Sequence, residues 1–505
     1  MVVNQLRAGA LISYLTLFLS NVIGLLYTPF MLHTLGQSEF GLYSLVGTVV
    51  GYLTILDFGF GSAIVRYAAK FIAAGAKKEL SNMLGMFFLI YGGIGFVSLI
   101  LGSLLCLHLD LFFENSMSAE EIKQAQIMVA ILVLNLSITF PLSIYTSILT
   151  VYERFVFQKI VNLIRVILNP IVLVVVLLLG YKAIAMVIVT SVFNIVTLLV
   201  NAVYYKKRID LPIRFESFDY SLLIKICKFS FLAFVLGILD KFYFQFSPFL
   251  LGSLIGTVAV SVFSIALQMR GYFASFSGAI SGVFLPRITT MINSENNKSG
   301  LSDLFIKIGR LQFYIIALLY SGYLIFGKSF IELWAGKDYE ASYSASIWIL
   351  TPFCIALIQN LYYPIAQAMN EQKKLVYIYL IISTVTVLFS YLLIPEYNII
   401  GAAIAVSLAT WIGEVILKNI YFKYSLKIDI LRFWREMLKP FSVVIMLIIL
   451  FLSANFDVSG WGRLCSGIVA YTIIYCICCY LFLFNSYEKE MVISLISKFR
   501  FVKAK

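Results

Sequence analysis

Charge is what this sequence has least of. Only 12% of its 505 residues are Asp, Glu, Lys or Arg, 61% are hydrophobic, and the mean hydropathy is +0.96. A soluble domain must clothe its surface in polar side chains, and too few are present here. Histidine is nearly missing: His33 and His108 stand far apart, with no metal-ligand spacing. The seven cysteines, three of them in "CICC" at 476–479, follow no ligand or disulfide pattern and read as small apolar packing residues. Paired carboxylates, a Ser/His/Asp set and a phosphate loop are all lacking, so no enzyme is expected. No basic motif accompanies the net charge of +13, which speaks against nucleic acid as a partner. The first apolar stretch is too long for a cleavable signal.

What the chain does have is long apolar runs. Residues 8–32, 83–107, 161–179, 311–326 with their flanks, and 464–484 can each cross a hydrocarbon core of ~30 Å as a helix. The pattern predicts an all-α polytopic membrane protein with about 14 spans. Nearly all of the 38 Lys and Arg then fall on one side, in "RYAAKFIAAGAKKE", "YERFVFQK", "YYKKRIDLPIR", "NEQKK", "KYSLKIDILRFWREMLK" and the C-terminal tail. Lys123, Lys182, Lys328, Lys337 and Arg463 fall on the other, and Arg165, Lys241 and Arg270 lie inside spans. The positive-inside rule puts both termini in the cytoplasm. Outer connections are expected near Gly36, Ser116, Gly180, Gly256, Trp334, Glu396 and Asp457. None is long enough to hold a soluble domain.

The chain also repeats itself. An offset of 219 residues lays Thr28-Pro29-Phe30 and Leu35 on Ser247-Pro248-Phe249 and Leu254. At 220, Gly36, Ser44, Gly51 and Tyr52 meet Gly256, Ser264, Gly271 and Tyr272. At 218 Glu153 meets Glu371, and at 216 "YKAIAMVIVTS" meets "YNIIGAAIAVS". Six spans separate the matched segments, so both halves have the same orientation, a parallel repeat of the kind that builds secondary transporters. The expected division is an N-lobe over 1–215, a C-lobe over 216–427, and an accessory helix hairpin with a cytoplasmic tail over 428–505.

"LGQSEFGLYSLV" and "LDFGFGSAIVRYAAKF" resemble the N-terminal signature of bacterial polysaccharide (Wzx-type) flippases. Their superfamily also holds multidrug exporters and the lipid II flippase. "YERFVFQKIVNLIRVILNP" and "GAAIAVS" are similar to later regions of the same family. The resemblance implies two six-helix lobes in a MATE-like arrangement in the bacterial cytoplasmic (inner) membrane. It also implies movement of an undecaprenyl-diphosphate-linked oligosaccharide to the outer leaflet, for O-antigen, capsule or exopolysaccharide synthesis. Spans 1, 2, 7 and 8 of such proteins line the central cavity. A polysaccharide polymerase and chain-length proteins are partners it leaves open. The alternative is a cation-coupled small-molecule (multidrug) exporter of the same fold, which would favour a carboxylate in span 1 where this chain has Asn21. No resident cofactor is expected, and H⁺ or Na⁺ coupling stays open.

An ionised residue at the centre of a span costs roughly 2.5–3.5 kcal/mol on insertion scales, so each such residue is a candidate site. Asp240, Lys241 and Arg270 fall near one depth in spans 7 and 8. Arg270 and Lys241 suit a diphosphate, and an Asp240–Arg270 ion pair is the competing reading. Asn21 falls opposite Asp240 at the 219 offset, as a cavity residue or an interhelical hydrogen-bonder. Asp57 precedes "FGFGS", whose glycines permit close packing or local unwinding; it could titrate, pair with Arg66 or cap a broken helix. The repeat-matched Tyr52 and Tyr272 could stack on sugars. Gln245, Gln268, Gln359, Asn360 and Gln367 are uncharged candidates for sugar hydroxyls. Arg165, Glu414 and Lys418, in the cytoplasmic thirds of their spans, are expected to snorkel.

Overall fold

A computed structural model of the chain describes residues 2–293, 298–369, 371, 373–453 and 460–490; the connection expected near Asp457 lies outside them. The helices are α1 (Val2–Leu53), α2 (Phe60–Ala73), α3 (Lys77–Leu107), α4 (Asp110–Phe113), α5 (Ala119–Val151), α6 (Phe155–Leu178), α7 (Ala183–Arg208) and α8 (Tyr220–Leu254). After them come α9 (Thr257–Asn293), α10 (Lys298–Trp334), α11 (Glu340–Leu357), α12 (Tyr362–Ala368), α13 (Lys373–Ala409), α14 (Lys418–Tyr424), α15 (Ile430–Ser453) and α16 (Trp461–Cys478).

Among the described residues, 11 helices are long and apolar enough to cross a membrane. The number is up to 12 if Lys337–Leu357 and Tyr362–Ala368, bent by 47°, form one span. The chain is a multi-pass membrane protein. Two stretches far exceed what a ~30 Å core requires: Ala8–Ala73, with 66 residues, and Lys373–Tyr424, with 52. Both are broken. Gly36 (φ 78, ψ 172) adopts a conformation almost reserved for glycine, and Asn398 (φ 50, ψ −125) interrupts α13. Gly256 (φ 113) turns the chain between α8 and α9, as Gly36 does at the equivalent place in the repeat.

Contacts divide the chain into two compact units, Met1–Gln268 with Lys373–Gly413 and Met269–Gln372 with Glu414–Lys505. The division crosses α9 and falls inside a π-helical stretch, Thr410–Leu417. The lobes expected from the repeat follow covalent order instead. In the first unit, Phe60, Ile64, Leu84, Phe87, Tyr91, Ile144 and Ile226 form the core. Helices α3 and α5 approach closely, since a Cβ on Gly95 would stand 2.5 Å from the Ser137 carbonyl. The extended linker after α7 is pinned to the start of α3. Ser81 donates to the Pro212 carbonyl at 2.5 Å, and Asn82 accepts from the Glu216 and Ser217 amides at 2.8 and 3.0 Å. Helices α8 and α13 pair hydroxyls inside the bundle, Tyr243 with Thr410 at 2.7 Å and Ser247 with Ser390 at 2.9 Å.

In the second unit, the bend between α11 and α12 frees backbone carbonyls that hydrocarbon could not satisfy. Ser277 donates to the Leu357 carbonyl at 3.0 Å. The Gln312 amide, with its nitrogen turned toward the bend, reaches Leu357 and Ile358 at 2.8 and 3.0 Å. The segment after α16 is tied to α10 by Arg310, which donates to Glu488 at 2.7 and 2.9 Å and to the Leu483 carbonyl at 3.0 Å.

Candidate functional site

Span 2 is unwound at its middle. Residues Thr54–Asp57 form a 3₁₀ turn, Phe58 (φ 52) and Gly59 (φ 71) are left-handed, and α2 begins afresh at Phe60. Gly59 takes one of the two left-handed positions at no cost, while Phe58 adopts the other as a non-glycine residue and Gly61 lies inside α2. Asp57, half-buried, accepts a 2.9 Å hydrogen bond from the Tyr91 hydroxyl of α3. Arg66 places its guanidinium 4.3 Å from the centre of the Phe229 ring. Asp57 thus belongs to the unwound turn and its hydroxyl donor.

Above the break, Tyr52 stands edge-on to Phe242 and Phe249 of α8, with ring centroids 6.1 and 6.2 Å away. The neighbouring Gly51 lets the Gln245 amide lie against the backbone; a Cβ there would meet its nitrogen at 2.5 Å and its oxygen at 2.7 Å. The Tyr52 hydroxyl and Gln245 Oε1 are both buried without a hydrogen-bond partner among the described residues. Asn21 and Lys241 are half-buried and Asp240 is exposed, while Tyr243, three residues on, is buried.

The other candidates belong to the second unit. Arg270 is only 6% exposed, its guanidinium 4.2 Å from the Phe353 ring centre, and Tyr272 is half-buried. Three of the amides offered for sugars are engaged in holding the bundle together. Gln268, in the first unit, donates to Thr28 at 2.8 Å; Gln359 donates to Asn419 at 3.0 Å, and Asn360 to Ser277 at 3.1 Å. Among the described residues, Gln245 and Gln359 both keep a buried Oε1 without a hydrogen-bond partner.

Two expectations need correcting. Lys418 does not snorkel: it is 1% exposed, ion-paired with Glu414, with its ammonium 3.7 Å from the centre of the Tyr362 ring. Glu414 is 9% exposed and shares that fate. A cation held between a carboxylate and an aromatic face needs no path to water. Arg165 likewise finds a partner in the bundle, donating to Asn194 at 3.1 Å, whose amide continues to Asn135 and Thr139 at 3.0 and 2.9 Å.

One residue escaped the sequence reading. Glu121, in the connection expected near Ser116, sits in the first turn of α5. Its Oε1 accepts from Ser38 at 2.5 Å and from Thr257 at 2.9 Å, and its Oε2 accepts from the Ser118 amide and hydroxyl, both at 2.9 Å. Ser38 and Thr257 stand 3.2 Å apart. Ser118 and Glu121 close a capping box on α5, and that S-x-x-E pattern was the signal available in the sequence. Among the described residues no group of His, Cys, Asp or Glu could hold a metal ion.

This arrangement has relatives. The family described as "Polysaccharide biosynthesis protein" matches residues 6–292, more than half of the chain. The chain belongs to that family. Within the polysaccharide biosynthesis family, it is 22% identical over 403 residues to a Shigella flexneri protein named "Putative O-antigen transporter", covering 78% of this chain and 92% of the relative. Its fold is similar to that of a structure described as "Lipid II flippase MurJ, inward closed conformation". The two agree with a TM-score of 0.74 at 18% identity, over 94% of this chain and 98% of that one. An inward-facing multidrug resistance MATE transporter of the MOP superfamily also matches, with a TM-score of 0.61 at 17% identity, over 81% and 96% of the two chains. The family and these neighbours are carriers, not catalysts.

Proposed function

We propose that this chain flips undecaprenyl-diphosphate-linked oligosaccharide units from the cytoplasmic to the outer leaflet of the bacterial inner membrane by alternating access. The observation that carries the reading is the family match over residues 6–292 on a carrier fold. The relative named for O-antigen transport supports it. In this reading each stretch broken at Gly36 and Asn398 crosses twice and the bent α11–α12 pair once, giving fourteen crossings with both termini in the cytoplasm.

The substrate has an anionic diphosphate and a chain of hydroxyl-bearing rings. Arg270 and Lys241 are assigned to the diphosphate, as a fork donor and a point charge, with Asp240 modulating the cations. Asn21, Asp57, Tyr52 and Tyr272 are assigned to the sugar path, and Gln245 joins them because its oxygen and the Tyr52 hydroxyl want partners. The Phe353 face beside Arg270 lowers the cost of holding that cation between substrates.

Deletion should trap lipid-linked oligosaccharide in the cytoplasmic leaflet. Arg270→Ala should fail to restore export at normal protein level, and Arg270→Lys should restore part of it. Recovery of transport in an Arg270→Ala, Asp240→Ala double variant would overturn the diphosphate role.

A further inference from the structure

We propose that Glu121 is the latch of the outward gate, one carboxylate shared by three helix starts and released when the carrier opens to the outside. Each hydroxyl on it belongs to the beginning of a helix. Ser38 follows the break at Gly36, Thr257 opens α9 after Gly256, and Ser118 is the N-cap of α5. Backbone N–H groups at a helix start are unsatisfied and the dipole there is positive, so three starts converging on one point call for an anion. Glu121 supplies it.

The surrounding contacts make the same closure. Ser116 donates to the Gly252 carbonyl and Ser253 to the Phe112 carbonyl, both at 2.7 Å, so the α3–α5 connection rides on the α8–α9 corner. Gly41 lies so close to the Thr257 carbonyl that any side chain would collide with it. Every partner of the latch is a hydroxyl or an amide, groups that water replaces readily once the corners part. The corners therefore close firmly without a buried ion pair to break.

The inference rests on the alternating-access reading, and its test needs no substrate. The full-length chain, freed of its seven native cysteines, carries Ser44→Cys, about 9 Å along the helix below Ser38. Right-side-out vesicles are treated with a membrane-impermeant maleimide. Glu121→Gln should raise the labelling rate roughly tenfold, as loss of charge-assisted bonds shifts the balance toward the open state. Ser38→Ala with Thr257→Val removes two of the latch hydroxyls and leaves the α5 capping box whole, so it reports even if Glu121→Gln accumulates poorly. Labelling in that double variant at the parental rate, with monodisperse protein, overturns the latch. Raised labelling in a chain that moves no lipid-linked sugar upholds the latch and refutes the proposed function.

Discussion

Lys418 shows how a single charge is housed in this bundle. Its ammonium has a carboxylate on one side and an aromatic face on the other, and almost no surface. Removing one partner leaves a buried charge uncompensated, at a cost of about 3–5 kcal/mol, whereas replacing both can be nearly neutral. Glu414→Ala should therefore lower the melting temperature in detergent sharply, and Glu414→Leu with Lys418→Met should recover most of the loss. Tyr52 calls for the opposite experiment. Its hydroxyl has no partner among the described residues, so Tyr52→Phe should leave the melting temperature unchanged or slightly higher. If the hydroxyl serves the sugar chain, export should fall in the same variant, read as lipid-linked oligosaccharide remaining inside. Charges buried in apolar sequence could be found by reading alone, but their partners could not. Tyr362, which covers Lys418, comes from a distant helix, and nothing local separates a snorkelling lysine from a sheltered one.

At the scale of elements, breaks matter more than helices. Apolar runs announce where a span lies, because a bilayer-length helix must be apolar nearly all round. They say little about where it bends. Gly36 and Gly256 hold the two repeat-equivalent corners with positive φ. Gly36→Ala should cost about 1–3 kcal/mol, seen as a lower melting temperature. Gly47→Ala in the same helix, where a Cβ would meet nothing within 4 Å, should be neutral or slightly stabilising. "FGFGS" signalled the unwinding of span 2 correctly as one of two possibilities, since Gly59 tolerates left-handed backbone; that Phe58 would share it was not legible. The bend after α11 carries no such signature; its carbonyls are answered by Ser277 and Gln312 from other helices. The start of α5 was legible in the S-x-x-E box, but Ser38 and Thr257, which complete the site around Glu121, lie 83 and 136 residues away and leave no local signature.

For the whole molecule, composition, basic-residue asymmetry and the internal repeat led to a helical carrier, and the family match agrees. The grouping of contacts was not legible. A repeat reports how a gene was copied, while units such as Met269–Gln372 with Glu414–Lys505 arise from packing among segments far apart in the chain. The sidedness is open to a direct test. Single cysteines at Lys207 and Lys427 should resist an impermeant reagent in intact cells, and ones at Ser116, Gly180 and Trp334 should react. Labelling of Lys207 from outside would reverse the orientation. Ser38 and Thr257 carry one more consequence. At the offset that lays Gly36 on Gly256, Ser38 corresponds to Val258 and Thr257 to Gln37, so the two touching hydroxyls are unlike positions of the repeat. In a symmetric pair of identical half-length chains every contact between unlike positions occurs twice. The mate of this one would join Gln37 to Val258, and a valine side chain can make no hydrogen bond. The fused chain therefore keeps at this corner an asymmetry that two copies of one half could not have held.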